Sequence, residues 1–413
     1  MPAKGAQVDV IVGGGVVGLS VAWRMAREGR PVTVVDPAPG KGASYAAAGM
    51  LAPVSEVTYT EGPLLRLGVA SLRRWPAFAA ELAADAGFTG EGDATGLVTG
   101  PGAGTGSGAG AAPAEVRALD LRADGTLDVA FGADDMAALG ELAAYMEKLD
   151  LPVERLTGRE CRRLEPMLAP SVRGGLLAPG DAWVDPRRVT AALLAALERL
   201  DVPVVRARAT GLLYEGGRVA GVRLAPPSSE PEHEHEHGRG EVPGEVRGER
   251  VVVAAGAWSS ELAEVPVRPV KGQIMRLRSP QPLLRRCVRG TVHGSSVYLV
   301  PRGDGELVVG ATQEEMGFDT KVTAGGLYEL LRDARELVPG VTELEVADVV
   351  AGLRPGTPDN LPLIGPSGTP GLAFATGHHR GGVLLAPLTT AILLGEESEL
   401  AALCAPGRFR EIS

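Results

Sequence analysis

Gly13, Gly15 and Gly18 stand in the spacing Gly-x-Gly-x-x-Gly around Gly14, and Asp36 follows about 20 residues on. In that pattern the first glycine makes a tight turn. The second lets the backbone approach a pyrophosphate, and the third lets a helix pack closely on a strand. The phosphates then rest on the N–H groups and positive dipole of the helix N-terminus. A carboxylate at Asp36 suits ribose hydroxyls and repels a 2′-phosphate, so NADP is disfavoured. The second cluster of chemical interest is His233, His235 and His237, alternating with Glu234 and Glu236. These are metal-ligand types, but in so polar a stretch the alternation reads as a solvated loop, and no metal is assigned. Cys161, Cys287 and Cys404 lie far apart and form no C-x-x-C pair, which disfavours zinc and a disulfide framework. Sparse thiols fit a reducing cytoplasm.

The elements around the glycines decide whether the pattern has its physical context. Val8–Val12 is a short apolar run that reads as a buried parallel strand. Residues 18–29 carry Leu19, Ala22, Met25 and Ala26 at helical spacing, with Gly29 as the stop, and Pro31–Asp36 is a second buried strand. Strand, glycine turn, helix, strand and acid therefore come in the order a dinucleotide fold needs. Further along, residues 64–86 read as one or two helices, Thr126–Phe131 as a strand and Asp134–Lys148 as a helix. Asp185-Pro186 starts a helix running to about Leu200, with Asp as N-cap and Pro in the first turn. Strands are expected at Val202–Arg206, Thr210–Tyr214, Val219–Leu224 and Arg250–Ala254. Residues 267–344 alternate strands and turns, Val297–Pro301 and Glu306–Gly310 being hairpin neighbours, and Ala324–Leu337 is a helix. Leu372–Ala375 is a last strand, followed by a helix from about Val383 to Leu394.

The class expected is α/β, α+β overall: a Rossmann-like nucleotide domain interrupted by a mostly antiparallel domain. Residues 1–90, 180–265 and 345–413 are assigned to the first, and 91–179 and 266–344 to the second. Two polar or Gly-rich tracts, 100–114 and 226–248, read as flexible inserts. The chain has 413 residues, 45% of them hydrophobic and 22% charged, enough for a substantial core. A net charge of -10 argues against nucleic acid as a partner. No apolar stretch is long enough to span a bilayer, and Met1–Gln7 has no signal-peptide core, so a soluble, cytoplasmic protein is expected.

Four ordered segments carry a resemblance. Gly42–Pro53 resembles the second flavin-contacting segment of the FAD-dependent D-amino-acid oxidase superfamily. Its run Ala46–Leu51 is similar to that of the glycine oxidases of thiazole (thiamine) biosynthesis. Val251–Ser259, Ala351–Asp359 with Pro362–Gly365, and Gly377–Pro387 resemble the same superfamily, so that the likeness spans roughly residues 8 to 395. One departure is Asp36, where the family more often has glutamate.

The resemblance implies FAD as cofactor, with Gly13, Gly14, Gly15, Val17, Gly18, Asp36 and Pro37 at its ADP half. It adds Ala43, Ser44, Ala48, Gly49 and Met50 from the second segment, and Thr210, Ala255, Gly256 and Trp258 from the middle of the chain. His378, His379, Gly381, Gly382, Val383 and Leu384 complete the set, the helix near Val383 turning its positive end to the flavin pyrimidine. No cysteine stands near the Thr-Pro-Asp turn, so the FAD is expected to be dissociable. A carboxylate substrate calls for a fork-shaped, permanent cation. The resemblance puts Arg354 on that carboxylate, with Arg380, Tyr298, Gln313 and Ala52 as further pocket positions. The implied reaction is hydride transfer from the α-carbon of a small amino acid to flavin N5, with O2 as acceptor. From glycine it gives an imine, then glyoxylate, ammonia and H2O2. Sarcosine and small D-amino acids are alternative substrates. A transient thiazole synthase partner and a homo-tetramer follow from the same likeness. Two other readings stay open: a dehydrogenase passing electrons to a quinone or carrier, and a non-catalytic flavin-binding protein.

Overall fold

A computed structural model describes residues 8–58, 60–88, 118–225 and 244–412. The tract 100–114 and residues 226–243, with the His/Glu run, lie outside the described residues. Asp9–Val12 is fully buried and pairs in parallel with Val32–Val35 on one side and Arg250–Val253 on the other. Leu372–Thr376 and Val204–Val205 extend the sheet in parallel, and Leu363–Pro366 adds an antiparallel edge, making six strands. Apolar side chains leave both faces of the central strand. Ile11 packs with Leu19, Trp23 and Leu385 beneath the helices Val16–Arg27, Pro186–Arg199 and Gly382–Leu394. Val10 and Val12 pack on the opposite side with Val219, Val222 and Phe374. Burial on both faces is why these strands read as continuous apolar runs.

The second sheet has eight strands, in the order Glu345–Gly356, Arg268–Arg278, Glu306–Gly310, Ser295–Pro301, Cys287–Val292, Thr126–Ala130, Gly174–Ala178, Glu154–Thr157. All neighbours are antiparallel except Cys287–Val292 beside Thr126–Ala130. Here the side chains alternate. Met275, Leu277, Val297, Leu299 and Val309 face the helix Ala324–Leu337. Ile274, Tyr298, Val300 and Val308 face the other way, where Ala48 and the short ladder Met50–Leu51/Ala182–Trp183 meet them. That second face is one wall of the site.

Three expectations differ in detail. Glu345–Gly356 pairs along its length with Arg268–Arg278, so it joins the second sheet rather than opening the last nucleotide-domain segment. Val202–Arg206 shrinks to Val204–Val205, because only those residues find a partner in Val34–Val35. Residues 245–247, inside the expected insert, form a strand against Gly221–Arg223. There the hairpin Ala209–Glu215/Arg218–Leu224 offers an edge of unpaired backbone groups that a polar segment can fill, and local composition does not register it.

A buried carboxylate ties together two distant segments of the chain, at Asp181 and at Val54–Ser55. Asp181 is fully buried and accepts from the N–H groups of Val54 (3.3 Å) and Ser55 (3.1 Å) and from Ser55 Oγ (2.5 Å). Burial pushes its carboxyl up to about 7 from 3.8, against the pull of the Ser55 hydrogen bonds. The folded chain therefore keeps a proton between those values that the unfolded chain releases. Its contribution to stability is complete below about pH 4 and is lost as pH rises through about 7. Calorimetric melting of wild type and Asp181→Asn at pH 5 and pH 8 should show a smaller loss of Tm in the variant. Equal losses in both would place the pH dependence on other groups.

Candidate active site

A cavity of about 700 Å³ runs between the C-terminal ends of the parallel strands and the inner face of the second sheet. In an open α/β sheet this is where ligands bind. At one end Gly13 adopts φ +117°, and a Cβ on Gly18 would fall 1.9 Å from the Gly13 carbonyl oxygen, so only glycine lets the helix start this close to the strand. Gly15 caps that helix with no side-chain hydrogen bond, and a Cβ there would meet nothing nearer than Ser44 Oγ at 3.3 Å. Ser44 Oγ accepts from the Val16 N–H at 2.9 Å, tying the second segment to the first. The Asp36 carboxylate is held by the N–H groups of Gly14 (2.6 Å) and Ala38 (2.7 Å), at the strand end and against the cavity. Lys41 and Arg208 add positive charge to this lining. Open space, free helix-terminal donors and basic side chains suit a pyrophosphate.

Most of the expected cofactor positions line this cavity: Gly13, Gly14, Gly15, Val17, Asp36, Pro37, Ala43, Ser44, Ala48, Gly49, Met50, Ala255, Gly256, Trp258, His378, His379, Gly382 and Val383. Gly18 serves the packing beneath it. Thr210 does not line it. Its hydroxyl donates to the Arg223 carbonyl at 3.3 Å, and the two residues before it, Arg208 and Ala209, line the cavity instead. Gly381 and Leu384 line a smaller recess behind Arg380, and the Leu384 carbonyl accepts from Ser71 Oγ and Trp75 Nε1. Ala52 is fully buried in the apolar layer with Trp183 and Ile274, behind the wall.

Two histidines stand at the start of the last helix. Burial pushes His378 down to about 3, and its Nε2 bonds Thr389 Oγ1 at 2.9 Å. Burial, then Arg380 and Arg354, push His379 down to about 4. Its buried Nδ1 has no hydrogen-bond partner among the described residues. An orphaned polar atom in a cavity wall calls for a ligand group, and with the glycine cradle it makes this chain fit a dinucleotide cofactor.

The far end holds the charged residues. The guanidinium of Arg354 lies flat against Gly272, where a Cβ would come within 2.2 Å of Nη1. Nη1 donates to the carbonyls of Thr312 (3.2 Å) and Lys271 (3.5 Å). The Tyr298 ring rests on Gly310 in the same way, a Cβ there falling 2.5 Å from the ring. Burial pushes the Tyr298 hydroxyl up to about 12, although Arg354 pulls it back, so it remains a donor at neutral pH. Gln313 lines the cavity beside Thr312. Arg380 also lines it, but its guanidinium forms an ion pair with Glu61 and donates to the Glu56 carbonyl at 3.2 Å. Burial by itself would raise the Glu61 carboxyl, yet Arg380 and Asn360 hold it below its ordinary value. Arg354 thus donates to backbone carbonyls, while Arg380 is braced by Glu61.

Sequence reading missed Arg289 and Glu56, which both line the cavity. Arg289 stands directly across from Tyr298 in the sheet, pairs with Asp128 (3.3 Å) and donates to the Ser55 carbonyl at 2.6 Å. A charged residue inside an apolar strand was the available signal. Glu56 carried none.

A dinucleotide cradle opening onto an arginine-floored pocket defines a nucleotide-dependent oxidoreductase. The sequence model of the FAD dependent oxidoreductase family matches residues 10–93 and 111–395; the chain belongs to that family, and FAD is its cofactor. A glycine oxidase from Geobacillus kaustophilus is 32% identical over 406 residues, covering 96% of this chain and 94% of the relative. A bifunctional protein ThiO/ThiG from Nostoc is 33% identical over 386 residues, covering 93% of this chain; the chain spans 51% of that relative's length. The crystal structure of glycine oxidase from Geobacillus kaustophilus superposes with a TM-score of 0.80 at 28% identity, covering 98% of this chain and 99% of the other. No helix among the described residues is long and apolar enough to cross a membrane.

Gly272→Ala should displace Arg354 without touching the cradle. We expect the purified variant to stay yellow with full FAD content, and acetate, followed by the flavin spectrum, to bind at least ~10-fold more weakly. Unaltered acetate affinity would show that Arg354 does not need its glycine floor.

Proposed function

We propose that the chain catalyses the oxidative deamination of glycine: glycine, O2 and water become glyoxylate, ammonia and H2O2. The observation that carries this reading is the Arg354 guanidinium, presented to the cavity beside Tyr298 and shared with the FAD cradle. The relatives named glycine oxidase, matched over nearly their full length, support the same substrate. Arg354 takes the carboxylate through a charge-assisted fork. Tyr298 donates a further hydrogen bond, and the walls at Gln313 and Ile274 hold the α-carbon in place. Bound FAD supplies the two-electron acceptor. Among the described residues no cysteine lines the cavity. No side chain need remove the α-proton, because the α-hydrogen leaves with its electrons; the protein supplies position, field and a dry site. Sarcosine and small D-amino acids are further substrates on this reading. The Nostoc relative, named for both ThiO and ThiG, supports a role in thiamine biosynthesis, the imine passing to a thiazole synthase.

An anaerobic screen of glycine, sarcosine and D-alanine tests the reading. Glycine should bleach the flavin, and readmitted air should restore it with release of H2O2. A flavin left yellow by all three amines ends the proposal. Arg354→Ala should keep its colour while the glycine KM rises about 100-fold, the cost of a lost charged fork. Unchanged kinetics in that variant would remove the clamp assignment.

A further inference from the structure

Three carboxylates line the cavity: Asp36, Glu56 and Glu261. Asp36 is satisfied by backbone N–H groups, and Glu261 pairs with Arg208 at 2.7 Å. The Glu56 carboxylate makes no hydrogen bond or ion pair among the described residues, although two arginines reach the backbone of Ser55 and Glu56. Arg289 donates to the Ser55 carbonyl at 2.6 Å, and Arg380 to the Glu56 carbonyl at 3.2 Å. The Glu56 N–H is bonded to the Ala52 carbonyl at 3.0 Å, and Asp181 holds the two preceding N–H groups. The loop is thus pinned on both sides of a residue whose own charge is left open to the cavity.

We propose that Glu56 recognises the substrate's amine and makes the pocket selective for α-amino acids over carboxylates lacking nitrogen. The inference rests on the glycine reading and deepens it. Arg354, Tyr298 and Glu56 line the same cavity, and beside the larger effect of burial both charges act on the Tyr298 hydroxyl, Arg354 lowering its pKa and Glu56 raising it. A zwitterion with its carboxylate on Arg354 then has its cationic end toward Glu56. Arg289 acts on Glu56 through space, but a partly buried anion with no hydrogen bond or ion pair among the described residues is costly, and an incoming ammonium lowers that cost. An amine also brings N–H donors to an acceptor-only group, which acetate does not.

The test compares glycine with acetate on wild-type holoenzyme and on Glu56→Gln, which keeps shape and removes charge. Acetate is titrated by flavin absorbance. Glycine is titrated by its anaerobic reduction kinetics, or by absorbance if it does not reduce the flavin. We expect Glu56→Gln to weaken glycine at least tenfold while acetate binds within twofold of wild type, or more tightly. Glycine affinity unchanged, or acetate weakened as much as glycine, overturns the assignment. Retained acetate binding also reports an intact pocket, so a folding defect is not mistaken for support. A wild type that binds glycine without being reduced ends the glycine-oxidation reading alone, since the affinity comparison still decides the role of Glu56.

Discussion

Arg354 faces the cavity because Gly272, on the neighbouring strand, has no side chain. A guanidinium is broad and flat, and to hold a small carboxylate it must be both exposed to the ligand and fixed in orientation. The structure meets both needs by laying it on bare backbone and fastening one nitrogen to the Thr312 and Lys271 carbonyls. Tyr298 uses the same device on Gly310. Since Arg268–Arg278 lies between the strand carrying Arg354 and the one carrying Gly310, the two aligned ladders bring both seats to one wall. A one-residue slip in either would turn its side chains to the other face.

The opposite wall is set by another close approach, that of Gly18 to Gly13 at the start of the first helix. There backbone N–H groups supply the positive potential, whereas at the far end side chains supply it. In a protein of net charge -10, cations inside a cavity need local bracing. Arg380 has Glu61 and Arg289 has Asp128, while Arg354 donates to carbonyl oxygens and has no ion pair among the described residues. On the proposed reading, that difference separates a binding group from two supporting ones.

The order strand, glycine turn, helix, strand and acid was legible because each step is local: β-branched runs, glycines at fixed offsets and a carboxylate at a strand end. The apolar faces and the ends of the long helices followed from periodicity and caps; Asp185, for example, accepts from the Arg187 N–H as N-cap. Thr210 stands just past the cavity lining and Ala52 one layer behind it, because neither the edge nor the thickness of a wall is written in a local motif. Residues 245–247 read as loop and became strand when a distant hairpin supplied an edge.

From the amino-acid order came the nucleotide cradle, and the resemblance carried by its ordered segments implied the cofactor class and the arginine expected on a carboxylate. The cradle depends on residue type at short spacing, where sterics and backbone hydrogen bonding act within a few bonds. Only the assembled sheets decided that Gly272 floors Arg354, that Arg380 is already engaged by Glu61, and that the Glu56 carboxylate has no hydrogen bond or ion pair among the described residues. Those outcomes depend on segments tens to hundreds of residues apart. Whether a charge is free or paired is a property of its neighbours in space, and chain order does not supply them.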